Sequence, residues 1–347
     1  MNVPPPGSPK AGPSIPGNGE ADELSSPPFL ERGAGGKQYI LCGDVGGTKT
    51  LLGLARDGRL IADRRYANAD FQDFSGVLAR FLADTQTDPT KLARACFAVA
   101  GPIADDGASA RLTNLPWSLV AADLARDFRL PTPRLVNDFA AAAIGAVTAA
   151  SDTLVCLQAG EPLAGSPRLV VGAGTGLGMA IVVPEGKRWR CIPGEGGHVA
   201  FAPADEQQAA LWRHLQQRHG RVTWERVVSG PGLAAIHVFL GGPELTPEQV
   251  ASMALADRAS KARRALEIFL AAYGAYAGDM ALACLPRGGV YLSGGIAGRL
   301  LDLLPGSGFL PAFNAKAEHA DIAARMPVHV ATDPRLGLLG AVILALE

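Results

Sequence analysis

The sequence has no run of Lys or Arg, and its formal net charge is only -1 over 347 residues. It offers no electrostatic footprint for a phosphate backbone or an anionic lipid surface, so nucleic acid and membrane are excluded as expected partners and small molecules remain. Cysteine pairs are also missing. The five cysteines, Cys42, Cys96, Cys156, Cys191 and Cys284, are odd in number, lie far apart and form no C-x-x-C. That excludes a disulfide framework and a structural zinc knuckle, and leaves all five as expected reduced core thiols. No stretch reaches the apolar length of a bilayer span. The N-terminus, MNVPPPG, has no basic region followed by an apolar core, so the chain is expected to stay in the cytosol.

What is present is apolar. With 48% hydrophobic and 19% charged residues, a chain of this length is expected to form two lobes rather than one core. Residues 1–36 are the exception: they are dominated by Pro, Gly and Ser, and set Glu20, Asp22, Glu23 and Glu31 against only Lys10 and Arg32. Such a segment cannot bury enough apolar surface to offset its ordering entropy, and it reads as a disordered tail or an artefact of an upstream start codon. Deleting it is expected to leave activity and melting temperature nearly unchanged, and a loss of activity above a few-fold would contradict that.

From Lys37 the pattern is strand (QYILCGD), glycine turn (VGGTKT), strand (LLGLA), with Asp57-Gly58 as a hairpin signal. A helix over 74–84, a strand over 95–100, a capped helix over 118–127 and a strand over 134–136 complete one α/β set. A second set opens with a strand over 168–171, the turn GAGTGLG and a strand over 179–183. It repeats the strand, glycine turn, strand layout, so the chain reads as internally duplicated. A long helix over 260–285, a strand over 289–292 and a closing helix over 338–346 follow, the last expected to pack back on the first lobe. The expected division is a small domain over 37–148 plus 333–347 and a large domain over 149–332.

The segment Asp44-Val45-Gly46-Gly47-Thr48-Lys49-Thr50 places an acid at a strand end, then two glycines that let backbone N–H groups approach an anion, then a hydroxyl. It suits a polyphosphate and equally an ordinary Gly-Gly hairpin turn. It is neither a Walker loop nor a dinucleotide fingerprint. In Gly172-Ala173-Gly174-Thr175-Gly176-Leu177-Gly178 the glycine spacing fits a dinucleotide site, but another apolar run follows where that fold needs a helix. Together the two turns make a matched pair that could clamp a nucleotide's phosphates. Asp138 of Asn137-Asp138-Phe139 sits where a strand meets a helix, a place for a catalytic acid or base and also for a plain N-cap. Pro193-Gly194-Glu195-Gly196-Gly197-His198 sets two polar groups among glycines, as sugar hydroxyls would require, while a structural role or zinc stays open for His198. Glu225 by default is a solvated acid at a helix start.

As a set, DVGGTKT, ACFAVAGPI, LTNLPW, LVNDFAAAA, GAGTGLG, PGEGGHVAFAP, ERVVSGPGL, GGVYLSGGI and DPRLGLLGA resemble, in order, the bacterial hexokinase-like glucokinases of the sugar kinase, Hsp70 and actin superfamily. The resemblance implies a two-lobed α/β, actin-like ATPase (ribonuclease H-like) fold with a central cleft, a homodimer, and phosphorylation of glucose by ATP with Mg²⁺ as the entry step of glycolysis. It implies Asp138 as catalytic base, and sugar binding by Asn137, Asp138, Glu195, His198 and Glu225. Asp44, Gly46, Gly47 and Thr48 correspond to the first phosphate segment, with Asp44 holding Mg²⁺ directly or through water. Gly174 and Thr175 correspond to the second, and Gly294 and Gly295 to the adenosine segment. Two departures stand out: Lys49 occupies a position where many of these glucokinases carry Asn, and the tail has no counterpart. Lys49 matches the related ROK group, but the ROK zinc site needs a cysteine cluster after the GH pair, and none exists between Cys191 and Cys284. The alternative reading is a ROK-like sugar kinase or a sugar-responsive regulator, which would need a DNA-binding module that the short, proline-rich, acidic tail does not supply.

Overall fold

The computed structural model describes residues 39–347, so the tail expected over 1–36, and Lys37 and Gln38 after it, lie outside the described residues. The first half of the chain runs β1 (Tyr39–Val45), β2 (Lys49–Arg56), β3 (Arg59–Ala67), α1 (Phe74–Asp84), β4 (Leu92–Val99), β5 (Ser109–Arg111), β6 (Ser118–Val120), α2 (Ala121–Phe128), β7 (Arg134–Asn137) and α3 (Asp138–Val147). The second half continues with β8 (Leu154–Gln158), β9 (Arg168–Ala173), β10 (Leu177–Glu185), β11 (Arg188–Gly194), α4 (Glu206–His219), α5 (Gly230–Phe239), α6 (Pro247–Ala256), α7 (Lys261–Cys284), β12 (Val290–Ser293), α8 (Gly295–Arg299), α9 (Phe309–Asn314), α10 (Ala320–Ala324), β13 (Val328–Ala331) and α11 (Leu336–Leu346).

The duplication is visible in the sheets. One has the order β3-β2-β1-β4-β7 and the other β11-β10-β9-β12-β13-β8. In each, a strand–turn–strand opening pairs antiparallel (β1 with β2, β9 with β10), while the first strand pairs parallel on its other side with β4 or β12. The central strand β1 is buried on both faces through Ile40, Leu41 and Cys42, which is why it reads as a continuous apolar run and not an alternating one. Asp57 and Gly58 both take positive φ, 52° and 76°, the backbone a two-residue hairpin between β2 and β3 requires.

The helices α3 and α11 form a shared layer between the sheets. Their core joins Ile40, Cys42 and Cys96 of the first sheet to Val170, Ala180 and Val182 of the second. Two glycines let the helices touch backbone to backbone: a Cβ on Gly340 would lie 1.8 Å from the Ala141 carbonyl oxygen, and one on Gly145 would lie 2.1 Å from that of Leu336. The heads of both helices are thereby fixed relative to each other.

Two local expectations are corrected. Ser118 does not start a helix: residues 118–120 pair with β5, and α2 begins at Ala121 after Val120, which makes no side-chain cap bond. Strand pairing outweighs the capping preference of Ser118. Of the cysteines only Cys42 and Cys96 are buried, whereas Cys191 and Cys284 are partly buried and Cys156 is exposed, because β8 is an edge strand.

Candidate active site

Asp44, the last residue but one of β1, lies against the start of α11. A Cβ on Gly337 would lie 2.6 Å from an Asp44 carboxylate oxygen, so only glycine allows the first turn of α11, with its unsatisfied N–H groups, to come this close to the acid. Burial, then the charge of Asp138, push the Asp44 carboxyl up to about 6, and Lys49 draws it down. Lys49 opens β2 on the same face of the sheet, since Asp44 pairs with Leu51 and side chains alternate along a strand. The turn between β1 and β2 is closed by the Gly46 N–H donating to Lys49 O at 3.1 Å. Asn68, absent from the expected site, braces it: Nδ2 donates to Gly46 O at 2.8 Å, Oδ1 accepts from Thr50 Oγ1 at 2.8 Å, and its N–H donates to Thr48 O at 3.0 Å. Thr48 is exposed at the tip, and Gly47 faces Asn114 of the LTNLPW segment.

At the head of α3 the cap is Asn137, not Asp138. Asn137 Oδ1 accepts from the amides of Phe139 and Ala140 at 3.0 and 3.1 Å. Asp138 is the first helical residue, and its Oδ1 accepts from Phe139 N at 2.8 Å and from Asn137 Nδ2 at 3.1 Å. Burial raises its carboxyl above the ordinary aspartate value, opposed by the hydrogen bond from Phe139, by its own amide and by Asn137. A carboxylate so placed is poised to accept a proton. The next side chain ties this acid to the other sheet: the Phe139 ring lies where a Cβ on Gly172 or Gly178 would approach within 2.6 or 2.5 Å. Two of the glycines in the second turn are therefore a seat for an aromatic ring.

That second turn is closed by Gly174 N donating to Gly176 O at 2.8 Å, and the Gly174 carbonyl accepts from Gly230 N at the head of α5, also at 2.8 Å. Glu225 is not a solvated helix-start acid. Its Oε2 accepts from Leu177 N at 2.8 Å, while Ser229, which caps α5, donates through Oγ to the Glu225 carbonyl at 2.7 Å. Thr175 is exposed at the tip. Gly294 takes a φ of 86° and its missing Cβ would lie 2.7 Å from Ala173 O, so the SGG segment stands against the same turn, with Gly295 opening α8 into free space. The GEGGH segment packs on the turn too, since a Cβ on Gly197 would lie 2.3 Å from Leu177 O. Glu195 and His198 are exposed and face each other, Oε2 to Nε2, at 3.8 Å. Among the described residues no hydrogen bond joins either to Asn137 or Asp138. Beside Thr175 opens a cleft of about 470 Å³, walled by Arg218, His219, Glu225, Pro231 and Leu245. Gly294 and Gly295 do not line this cleft.

Two glycine turns, one from each half, with a half-buried carboxylate at a helix head between them, mark the class of actin-like ATPase folds that includes the sugar kinases. The glucokinase family model matches residues 41–347, and the chain belongs to the glucokinase family. It is 37% identical to the glucokinase of Nostoc sp. over 341 residues, covering 88% of this chain and 98% of that protein. A crystal structure of a glucokinase from an Antarctic psychrotroph superposes with a TM-score of 0.80 at 29% identity, covering 89% of this chain and 98% of the other. A ROK family glucokinase from Streptomyces griseus, solved with glucose and AMPPNP, shares the fold at a TM-score of 0.60 and 20% identity, over 89% of this chain and 99% of its own. Among the described residues no helix is long and apolar enough to cross a membrane.

Proposed function

We propose that this chain transfers the γ-phosphoryl group of ATP to the 6-hydroxyl of glucose, with Asp138 as the base. The observation that carries the assignment is the position of Asp138: a half-buried carboxylate, held by the side-chain amide of Asn137 and the backbone amide of Phe139, on a helix whose Phe139 seats in the opposite glycine turn. Its raised carboxyl makes it a better proton acceptor than an exposed aspartate, and general-base catalysis of this kind contributes about 10²–10⁴-fold. The backbone amides of Gly46 and Gly47 and the Thr48 hydroxyl receive phosphate oxygens from one side. Those of Gly174 and Thr175 receive them from the other, and Gly294, which stands against the same turn, and Gly295 face the adenosine.

The residues fit a magnesium ion. Asp44 and Asp138 press two carboxylates on one another with Lys49 as the compensating cation, and Mg²⁺ is commonly held by one or two carboxylates plus substrate phosphates. Asp44 would hold it, directly or through water, and when bound it neutralises charge on the phosphates.

Asn137, Asp138, Glu195, His198 and Glu225 hold the sugar. Glu195 and His198 are exposed here, so closure on glucose supplies their desolvation and expels water from the transfer step. We place the lobe boundaries at 37–148 plus 333–347 and 149–332, supported by the packing of α11 on β1 and β4. We further propose a cytoplasmic homodimer serving the entry step of glycolysis, and membership of the non-ROK branch. The last rests on identities of 37% to the Nostoc glucokinase and 20% to the ROK enzyme.

His198→Ala is expected to raise the glucose KM roughly ten-fold or more, the factor that about 1.4 kcal/mol of lost interaction produces. An unchanged KM would remove His198 from the sugar site. Elemental analysis is expected to find no stoichiometric zinc in the purified protein, and one zinc per chain would move His198 to a metal site and favour the ROK reading.

A further inference from the structure

Of the buried polar side-chain atoms that lack a hydrogen-bond partner among the described residues, one stands beside the proposed sugar site. Tyr276, on α7, is 0% exposed, and its hydroxyl has no hydrogen-bond partner among the described residues. Its neighbour one turn earlier, Tyr273, does find one, donating to Val171 O at 3.4 Å. A phenol is normally placed in a core only where its hydroxyl meets an acceptor, because an unpaired buried donor is costly and Phe fills nearly the same volume without it.

The surroundings indicate what the hydroxyl serves. A Cβ on Gly196 would lie 2.8 Å from Tyr276 Oη, between the sulfurs of Met179 and Met280 at 2.7 and 3.2 Å, so the GEGGH segment rests directly on this oxygen. The ring packs against Trp224 at 5.6 Å between centroids, and Trp224 immediately precedes Glu225. Burial, and then the Glu225 charge, push the phenol above its ordinary value, so the group stays protonated and is a donor at any working pH. Glu225 in turn uses only Oε2, on Leu177 N; its other oxygen accepts no hydrogen bond among the described residues.

We infer that Tyr276 is a positioning residue for the sugar site: when glucose is bound, its hydroxyl donates to the Glu225 carboxylate and sets the orientation in which Glu225 meets a sugar hydroxyl. This rests on the assignment of Glu225, Glu195 and His198 to glucose. Among the described residues the hydroxyl has no partner, so a bond it gains when glucose binds contributes to binding and not to the stability of the free protein.

The test is Tyr276→Phe beside Glu225→Gln, the double variant and His198→Ala, each measured for glucose KM, ATP KM, kcat, and melting temperature with and without glucose. Tyr276→Phe is expected to raise the glucose KM about five- to ten-fold, to leave kcat and the ATP KM within about two-fold, and to leave the sugar-free melting temperature unchanged or higher while reducing the glucose-induced rise. The double variant is expected to match Glu225→Gln alone within about two-fold, because the tyrosine acts through the carboxylate. A glucose KM within two-fold of wild type in Tyr276→Phe, or additive effects in the double variant, overturns the inference. If His198→Ala and Glu225→Gln also leave the glucose KM unchanged, the sugar-site assignment falls; if they raise it and Tyr276→Phe does not, only the role of Tyr276 falls.

Discussion

Asp138→Asn is expected to lower kcat by about 10²–10⁴-fold, the range that loss of a general base produces. The substitution is close to isosteric, and it leaves the helix cap intact because Asn137 still accepts from the amides of Phe139 and Ala140. An asparagine oxygen can still accept from the Phe139 amide. What is lost is basicity and charge. Because burial raises the Asp138 carboxyl, the ionised form is the one the fold disfavours, and neutralising it also relieves Asp44 of a like charge. The melting temperature is therefore expected to hold or rise while ATP binding persists, the pattern of an active-site carboxylate retained for function at some cost in stability. A variant keeping more than about a tenth of wild-type kcat would return Asp138 to a structural role.

Gly340→Ala is expected to destabilise the protein although alanine is the better helix former. The propensity gain is about 1 kcal/mol. Against it, the new methyl would sit 1.8 Å from the Ala141 carbonyl oxygen and 2.6 Å from its carbon. These are backbone atoms, which cannot rotate aside as a side chain would, so α3 and α11 must separate. Overpacking of this kind costs about 1–3 kcal/mol or more, and here it displaces the heads of the two helices that hold Asp138 and face Asp44. A melting temperature lower by several degrees, with kcat reduced as well, is the expected result. Thermal unfolding within a degree of wild type would show that the helix contact is not what fixes the layer between the sheets.

The parts of the fold that were legible in the sequence are those written locally. The paired glycine turns, the Asp57-Gly58 hairpin and the apolar runs of β1 and β9 each state their own conformation. Ser118 misled because its partner strand β5 is only three residues long, Ser109–Arg111, and the pairing that keeps residues 118–120 extended cannot be seen from Ser118 itself. At the site, the Asn137-Asp138 pair contains two good caps in succession, and only geometry decides which one caps and which is left free for chemistry. Asn68, Phe139 and Gly337 are invisible as site residues for a common reason: each acts on a turn or an acid 18 or more residues away, through contacts set by tertiary packing. Glu225 reads by default as solvated because its partner, the Leu177 amide, belongs to a turn 48 residues earlier. Tyr276 gave no signal at all, since an aromatic in an apolar helix reads as core.

The central claim is tested most directly by following ATP consumption and glucose 6-phosphate formation together in the purified protein, with and without glucose. ADP and glucose 6-phosphate are expected in a one-to-one ratio, with turnover in the absence of glucose far below the glucose-dependent rate. A glucose-independent ATP turnover that equals or exceeds the glucose-dependent rate, without glucose 6-phosphate, would contradict the assignment and point to an ATPase that couples nucleotide state to a partner.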